Sequence, residues 1–257
     1  MDRLPAALRA KAANQAGRVS VPAAGTLSLV ATPIGNLQDI TLRAIEVLRQ
    51  ADLIACEDTR HSATLLRAHE IDRPTTSYHG YSHASKGSRL LDAVAEGQRV
   101  AVISDAGLPG ISDPGAALVR EAVVRNLQVE VIPGASASLM ALVLSGLPTD
   151  RFTFEGFLPV KPGPRLRRLE TLRGEGRTVI VYESPHRLLK TLTDIEGVYG
   201  DIAMSCSREL TKKFEETRRG RVSELRAHFE QRPPRGEFVL VLSPPTHPRT
   251  HASRHAL

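Results

Sequence analysis

Short apolar runs alternate with amphipathic stretches along the first half of the chain. Residues 26–32 (TLSLVAT) are β-rich and apolar and stop at Pro33, which predicts a buried strand. Residues 42–50 place Leu42, Ile45 and Leu48 at helical spacing, with Asp39 or Thr41 available as N-cap. Residues 53–56 and 100–103 also read as buried strands. Between them the pattern predicts a helix around 63–69 and then a polar segment, 75–88. Residues 114–125 predict a helix capped by Asp113 with Pro114 at its first position, and 129–132 a further strand. This alternation predicts a largely parallel sheet covered by helices on both faces.

From about residue 138 the strand-like runs are shorter and lie in more polar sequence. Helices are expected at 139–144, 188–195 and 223–229, and strands at 152–154, 178–182, 202–205 and 238–242, giving a mixed sheet. The chain therefore divides into an N-terminal extension (1–25), an N-terminal α/β lobe (26–137), a C-terminal α/β lobe (138–243) and a tail (244–257). The basic, Ala-rich extension reads as unstructured, and the tail PPTHPRTHASRHAL has no apolar periodicity, so both are expected to be flexible. No internal repeat is visible.

Composition narrows the class. With 41% hydrophobic and 24% charged residues the chain is globular in character. No apolar run approaches the roughly 20 residues of a membrane span, and the N-terminus lacks the apolar core of a secretion signal. Cys56 and Cys206 are the only cysteines and suggest neither a disulfide framework nor a zinc site, which fits a reducing cytoplasm. The absence of Trp and a 4% aromatic content argue against a base-stacking platform of the kind many single-strand RNA binders use. The net charge of +6 is unevenly placed: residues 1–135 carry 14 basic and 14 acidic side chains, residues 136–257 carry 20 and 14. A polyanionic partner would meet the second half.

Three loops in the first half each follow a predicted strand, where open α/β sheets bind ligands. They are 32–37 (TPIGNL), 104–115 (SDAGLPGISDPG) and 133–137 (PGASA). None matches GxGxxG or GxxxxGK[ST]. The second loop carries Asp105 and Asp113 but no cation, so it suits a neutral or cationic ligand with hydroxyls and amines better than a pyrophosphate. S-adenosylmethionine, with a sulfonium, an ammonium, a ribose and no phosphate, satisfies that description.

The stretches VATPIGNLQDIT, ACEDTRHS, VISDAGLPGISDPG, IPGASA, FEGFLP, VYESPHRL and RELTKKFEE, in this order, strongly resemble the ribosomal RNA small subunit methyltransferase I family, within the tetrapyrrole-methylase-like superfamily. The resemblance covers roughly residues 26 to 243; the extension of about 24 residues is atypical. It implies a two-lobed α/β fold, each lobe a sheet covered by helices, with the cofactor S-adenosylmethionine in the cleft between lobes. It also implies a homodimer and 2'-O-methylation of a cytidine ribose in 16S rRNA at the decoding centre. Carried onto this sequence, cofactor contacts fall at Pro33, Ile34, Asp105, Leu108, Gly110, Ser136, Ala137, Tyr182, Gly236 and Glu237. Asp105 has a second reading, as a carboxylate that braces its own loop.

Methyl transfer needs the ribose hydroxyl aligned with the sulfonium carbon and relieved of its proton. Glu57, Asp58, Arg60 and His61 follow the second strand and are the catalytic candidates, a carboxylate or His as proton acceptor and Arg60 on a phosphate. The competing reading is a helix cap, Asp58 or Thr59 at the N-terminus and Arg60 paired with a carboxylate. His79 and His83, and Lys212 and Glu215 of RELTKKFEE, are further candidates. No metal is implied: His79/His83, His247/His251 and His251/His255 have HxxxH spacing, but Gly80 and Pro248 argue against helices there. ESPHR (183–187) lacks a nucleophile elbow and reads as a turn with Ser184 as N-cap and Pro185 at the first helical position.

Basic residues cluster in the second half. Lys161, Arg165 and Arg168, expected on a loop held by Pro162-Gly163-Pro164, and Lys212 and Lys213 are the candidate RNA contacts, with Arg218, Arg219, Arg221, Arg232 and Arg235 adding to the surface. The alternatives are a superfamily methyltransferase acting on a small molecule such as a tetrapyrrole, and a non-catalytic ribosome-binding factor.

Overall fold

In the computed structural model, residues 25–78, 83–112 and 115–243 are described. The extension up to residue 24, the tail from 244, the capping pair Asp113–Pro114 and His79 lie outside the described residues, as does the side chain of His83. Gly25 is part of the fold, its N–H donating to the Gly97 carbonyl at 2.9 Å. The chain forms two compact units that meet in sequence between Ala135 and Ser136.

The first unit is a five-stranded, fully parallel sheet of β1 (Thr26–Val30), β2 (Leu53–Cys56), β3 (Thr75–Ser77), β4 (Val100–Ile103) and β5 (Gln128–Ile132), in the order β3-β2-β4-β1-β5. Helices α1 (Leu42–Gln50) and α2 (Thr59–Ala68) cover one face, packing Val47, Leu48 and Leu66 with Val30, Ile54 and Ile103. Helices α3 (His83–Ala95) and α4 (Gly115–Val124) cover the other, packing Leu91, Val94 and Leu118 with Leu27, Leu29 and Val102. Alternate residues of β1 thus face opposite layers, which is why that strand is buried throughout. Thr41 caps α1 by accepting from the Ala44 N–H, while Asp39 ends a short 3-10 turn capped by Asn36. The segment 75–88, read from the sequence only as polar, contributes β3 and the first turns of α3.

β1 and β4 are neighbours, but the connection after β1 runs through α1 on one face and that after β4 through α4 on the other. This is the topological switch that opens a crevice at the carboxyl edge of a parallel sheet.

The second unit begins with α5 (Ala137–Ser145) and contains β6 (Phe152–Phe157), β7 (Thr178–Glu183), β8 (Ala203–Arg208), β9 (Glu216–Arg221) and β10 (Phe238–Leu242) in the order β6-β7-β10-β8-β9. Only β6 and β7 pair in parallel; the other neighbours are antiparallel. Helices α6 (Pro162–Gly174), α7 (Leu188–Tyr199) and α8 (Val222–Gln231) bury Leu172, Leu192 and Phe229 against Val181, Cys206 and Phe238. α5 packs against β7, β8, β9 and β10.

Two expectations need correction here. Pro162-Gly163-Pro164 opens α6, because a proline without an N–H fits the first helical turn. The turn at 184–187 precedes α7, which starts at Leu188; the Ser184 carbonyl accepts from the Leu188 N–H, and its side chain is not the cap.

Candidate functional site

The loops after β1, β4 and β5 are tied together at the carboxyl edge of the first sheet. Thr32 and Gly107 form a two-way bridge, N–H to carbonyl at 2.9 and 3.1 Å. The buried Thr32 hydroxyl donates to the Ser104 carbonyl at 3.1 Å, and the Ser104 hydroxyl to the Gly107 carbonyl at 3.2 Å. Ile34 is buried, and its Cγ2 lies 3.5 Å from where a Cβ on Gly107 would stand, with the Ala135 carbonyl at 3.6 Å from the same point. All three loops therefore converge on Gly107, whose φ of +82° only glycine adopts at low cost.

The second loop is folded tightly on itself. A Cβ on Gly115 would stand 2.7 Å from the Gly110 nitrogen, so backbone runs against backbone where α4 begins. Gly110 (φ +94°) and Ser112 (φ +67°) are both in the left-handed region. Asp105 is half-buried, and its Oδ1 accepts from the Asp58 N–H at 3.2 Å, joining the loop after β4 to the segment after β2. The bracing role expected as the alternative for Asp105 is thus present in the structure, and it orients the carboxylate.

Asp58 is the N-cap of α2 and accepts from the Arg60 N–H at 2.8 Å. That hydrogen bond, with the Arg60 guanidinium 3.4 Å away, holds its carboxyl below the usual range. The Arg60 side chain is 92% exposed, and His61 lies exposed in the same first turn. The capping reading of this cluster is therefore present at Asp58 and Arg60, and it makes Asp58 a weak proton acceptor. Glu57 is half-buried at the end of β2.

The remaining cofactor candidates lie in the second unit. Ser136 is the N-cap residue of α5, its Oγ 3.1 Å from that of Ser138. Tyr182 stacks edge-on with Phe154 and Phe157 at 5.0 and 5.7 Å; burial pushes its phenol up, against a hydrogen bond with Ser138. Gly236 (φ +82°) and Glu237 belong to a brace around residues 209–212: the Glu209 N–H donates to the Glu237 carbonyl at 3.2 Å, and Lys212 bridges Glu209 and Glu237 at 3.0 and 3.1 Å.

The RNA candidates divide. Arg165 is a correction: it is 4% exposed, its Nε 2.5 Å from Asp194 and its Nη1 donating to the Val160 carbonyl at 2.9 Å. A guanidinium enclosed this way staples α6 to α7 and does not face a phosphate. Arg168 pairs with Glu155 through two 2.6 Å hydrogen bonds, and Lys212 is held as described, so both charges are already matched. Lys161 and Lys213 are exposed. Among the described residues no group of His, Cys, Asp and Glu is placed to hold a metal, and no helix is long and apolar enough to cross a membrane. Sequence reasoning missed Thr32 and Ser104, whose hydroxyls tie the loops. The available signal was their position directly at the ends of two buried strands.

A parallel sheet with a switch point, glycine-shaped loops and an anchored carboxylate defines the class: residues 26–226 match the tetrapyrrole (corrin/porphyrin) methylases. A solved structure of diphthine synthase has the same fold, with a TM-score of 0.67 at 16% identity over 86% of this chain and 91% of that one. Within the class, the ribosomal RNA small subunit methyltransferase I of Synechocystis sp. is 50% identical over 85% of this chain and 79% of its own length. That of Mesorhizobium japonicum is 49% identical over 89% and 79%. The chain belongs to the ribosomal RNA small subunit methyltransferase I family.

Proposed function

We propose that this chain uses S-adenosylmethionine to methylate the 2'-oxygen of a cytidine ribose in 16S rRNA, at the decoding centre of the small ribosomal subunit. The observation that carries this reading is the convergence of the three strand-end loops around an oriented Asp105, in a chain whose relatives bear that name. The donor set fits the cofactor: backbone N–H and C=O groups, one anchored carboxylate and no cation in the loop at 104–112.

When bound, S-adenosylmethionine supplies an electrophilic methyl group on a sulfonium. Asp105 would hold its amine or hydroxyl groups, the backbone of Leu108 and Gly110 its polar edge, and Pro33 and Ile34 an apolar wall. Loops locked by the Thr32–Gly107 bridge hold these groups without reorganising, which is where positioning lowers the barrier. Glu57 and His61 remain the proton acceptors for the 2'-hydroxyl, since Asp58 is held as a cap. Arg60, projecting into solvent, is placed to meet a phosphate.

The acting species is a cytoplasmic homodimer. In support, α5 leaves Leu139 and Val143 50% and 73% exposed one turn apart, an apolar strip that a second copy would cover. Sedimentation of the purified protein should give twice the chain mass; a concentration-independent monomer would reject the dimer. Mass mapping of 16S rRNA from a strain lacking this gene tests the substrate. One cytidine should lose a ribose methyl and regain it when the purified protein and cofactor are added to small subunits. An unchanged pattern would remove 16S rRNA from the proposal.

A further inference from the structure

We propose that a groove in the second unit binds a single-stranded stretch of RNA, with one base stacked on Phe214 and the adjoining phosphates on Lys213, Arg232 and Arg235. This rests on the reading of the chain as an rRNA methyltransferase and deepens it by naming where substrate is gripped. The groove, about 470 Å³, lies between the β8–β9 connection and the segment that follows α8.

Three observations lead to it. Phe214 leaves 66% of its surface in water, whereas Phe229 and Phe238 of the same unit are buried. A large ring kept out of the core, flanked in sequence by Lys213 and Glu215, is a stacking face rather than a packing residue. Lys213 Nζ lies over one face of the ring, 5.6 Å from its centroid, leaving the opposite face to a base.

The second observation is how charge is distributed. Glu216 in the groove wall is saturated by Arg208 and Arg218 at 2.7 and 2.6 Å. Lys213, Arg232 and Arg235 line the groove and make no ion pair among the described residues, while the other lining carboxylate, Glu215, accepts from the Thr211 N–H. Burial and then the Arg218 charge hold the His228 imidazole below its ordinary value, with Arg232 adding to that field, as expected of a positive lining.

The third is stiffness. Pro233-Pro234 separates Arg232 from Arg235 and fixes two φ angles, and left-handed Glu209 (φ 50°) and Thr211 (φ 65°) shape the loop that carries Phe214. A free phosphate would use the cations but leave the ring without a role. A nucleotide uses both.

Anisotropy with a labelled single-stranded oligoribocytidylate tests this on the full chain. Phe214→Ala should weaken binding roughly tenfold while Phe214→Tyr retains it, because one stacked base is lost in the first and kept in the second. Arg232→Gln with Arg235→Gln should flatten the slope of log K against log salt by roughly 1.4, two phosphate contacts on a single strand. Thermal melting should be unchanged, since these side chains are exposed. Equal affinity of Phe214→Ala and the unsubstituted chain would overturn the proposal. Displacement of the oligonucleotide by polyglutamate at matched charge would also overturn it, in favour of an acidic protein partner. Calorimetry with S-adenosylmethionine separates the two readings: loss of cofactor binding by the unsubstituted chain rejects the methyltransferase, whereas a normal heat with oligonucleotide binding indifferent to Phe214 rejects only the groove.

Discussion

Asp105 joins structure to chemistry more directly than any other side chain in the first unit. One oxygen accepts the Asp58 N–H, which fixes the carboxylate at the mouth of three converging loops. Asp105→Ala removes that brace and, in the proposed site, the anionic ligand as well, and hydrogen bonds to charged groups contribute about 1.5–3 kcal/mol. S-adenosylmethionine affinity measured by calorimetry should fall by roughly tenfold to a hundredfold. Asp105→Asn keeps an acceptor for Asp58 and should lose less; equal, full affinity in both variants would remove Asp105 from the site. Arg165 makes the opposite case. Truncating it to Ala strands Asp194 and the Val160 carbonyl, so urea unfolding should show a loss of about 3 kcal/mol with cofactor affinity unchanged in the folded protein. A similar stability with weakened RNA binding would restore it to the RNA surface.

At the level of elements, backbone approach decides what the loops can hold. Gly115→Ala would drive a methyl group to 2.7 Å from the Gly110 nitrogen, so the loop after β4 must move away from the start of α4. Cofactor binding should weaken more than tenfold although no cofactor-facing side chain changes; unaltered binding would show that the approach carries no function. Those glycines were visible in SDAGLPGISDPG, and so was the site's place at strand ends. Its wiring was not, because the Thr32–Gly107 and Asp58–Asp105 bonds join residues far apart in sequence and leave no periodic trace. Strands β1, β2, β4 and β10 were legible because both of their faces are buried. β3 (TTS) and β9 (ETRRGR) escaped notice for the complementary reason: each is the outermost strand of its sheet and only half covered, so neither needs an apolar run. α6 was misread because Pro-Gly-Pro signals a turn as readily as a helix start, and its arginines looked like a surface loop when Arg165 faces inward.

Across the whole molecule, the titratable groups shifted by folding fall into two sets that bound the stable pH range. Cys56 and Cys206 are pushed up from 9.0 by burial, and Tyr78 and Tyr182 up from 10.0 for the same reason. Groups raised by folding ionise first in the unfolded chain, so their contribution is complete below pH 9.0 and is lost as pH rises through and beyond it. On the acid side, His228 is held below 6.5 by burial and Arg218. Glu216 and Glu209 lie below 4.5: burial opposes this, but the Arg208 and Arg218 pairs overcome it for the first, and the Glu237 N–H with Lys212 for the second. Groups lowered by folding take up protons first in the unfolded chain, so their contribution is complete above the ordinary values and lost on acidification. The urea midpoint should therefore be flat between pH 6.5 and 9.0, decline gently below 6.5 and steeply below 4.5. Glu216→Gln should blunt the steep limb and deepen the gentle one, because the Glu216 charge opposes the lowering of the His228 imidazole. A midpoint higher at pH 5 than at pH 8 would contradict the sign of the His228, Glu209 and Glu216 shifts. Protonating Glu216 frees Arg208 and Arg218 beside the proposed groove, so along that limb RNA affinity should fall only as the chain unfolds, whereas high salt should remove the affinity alone.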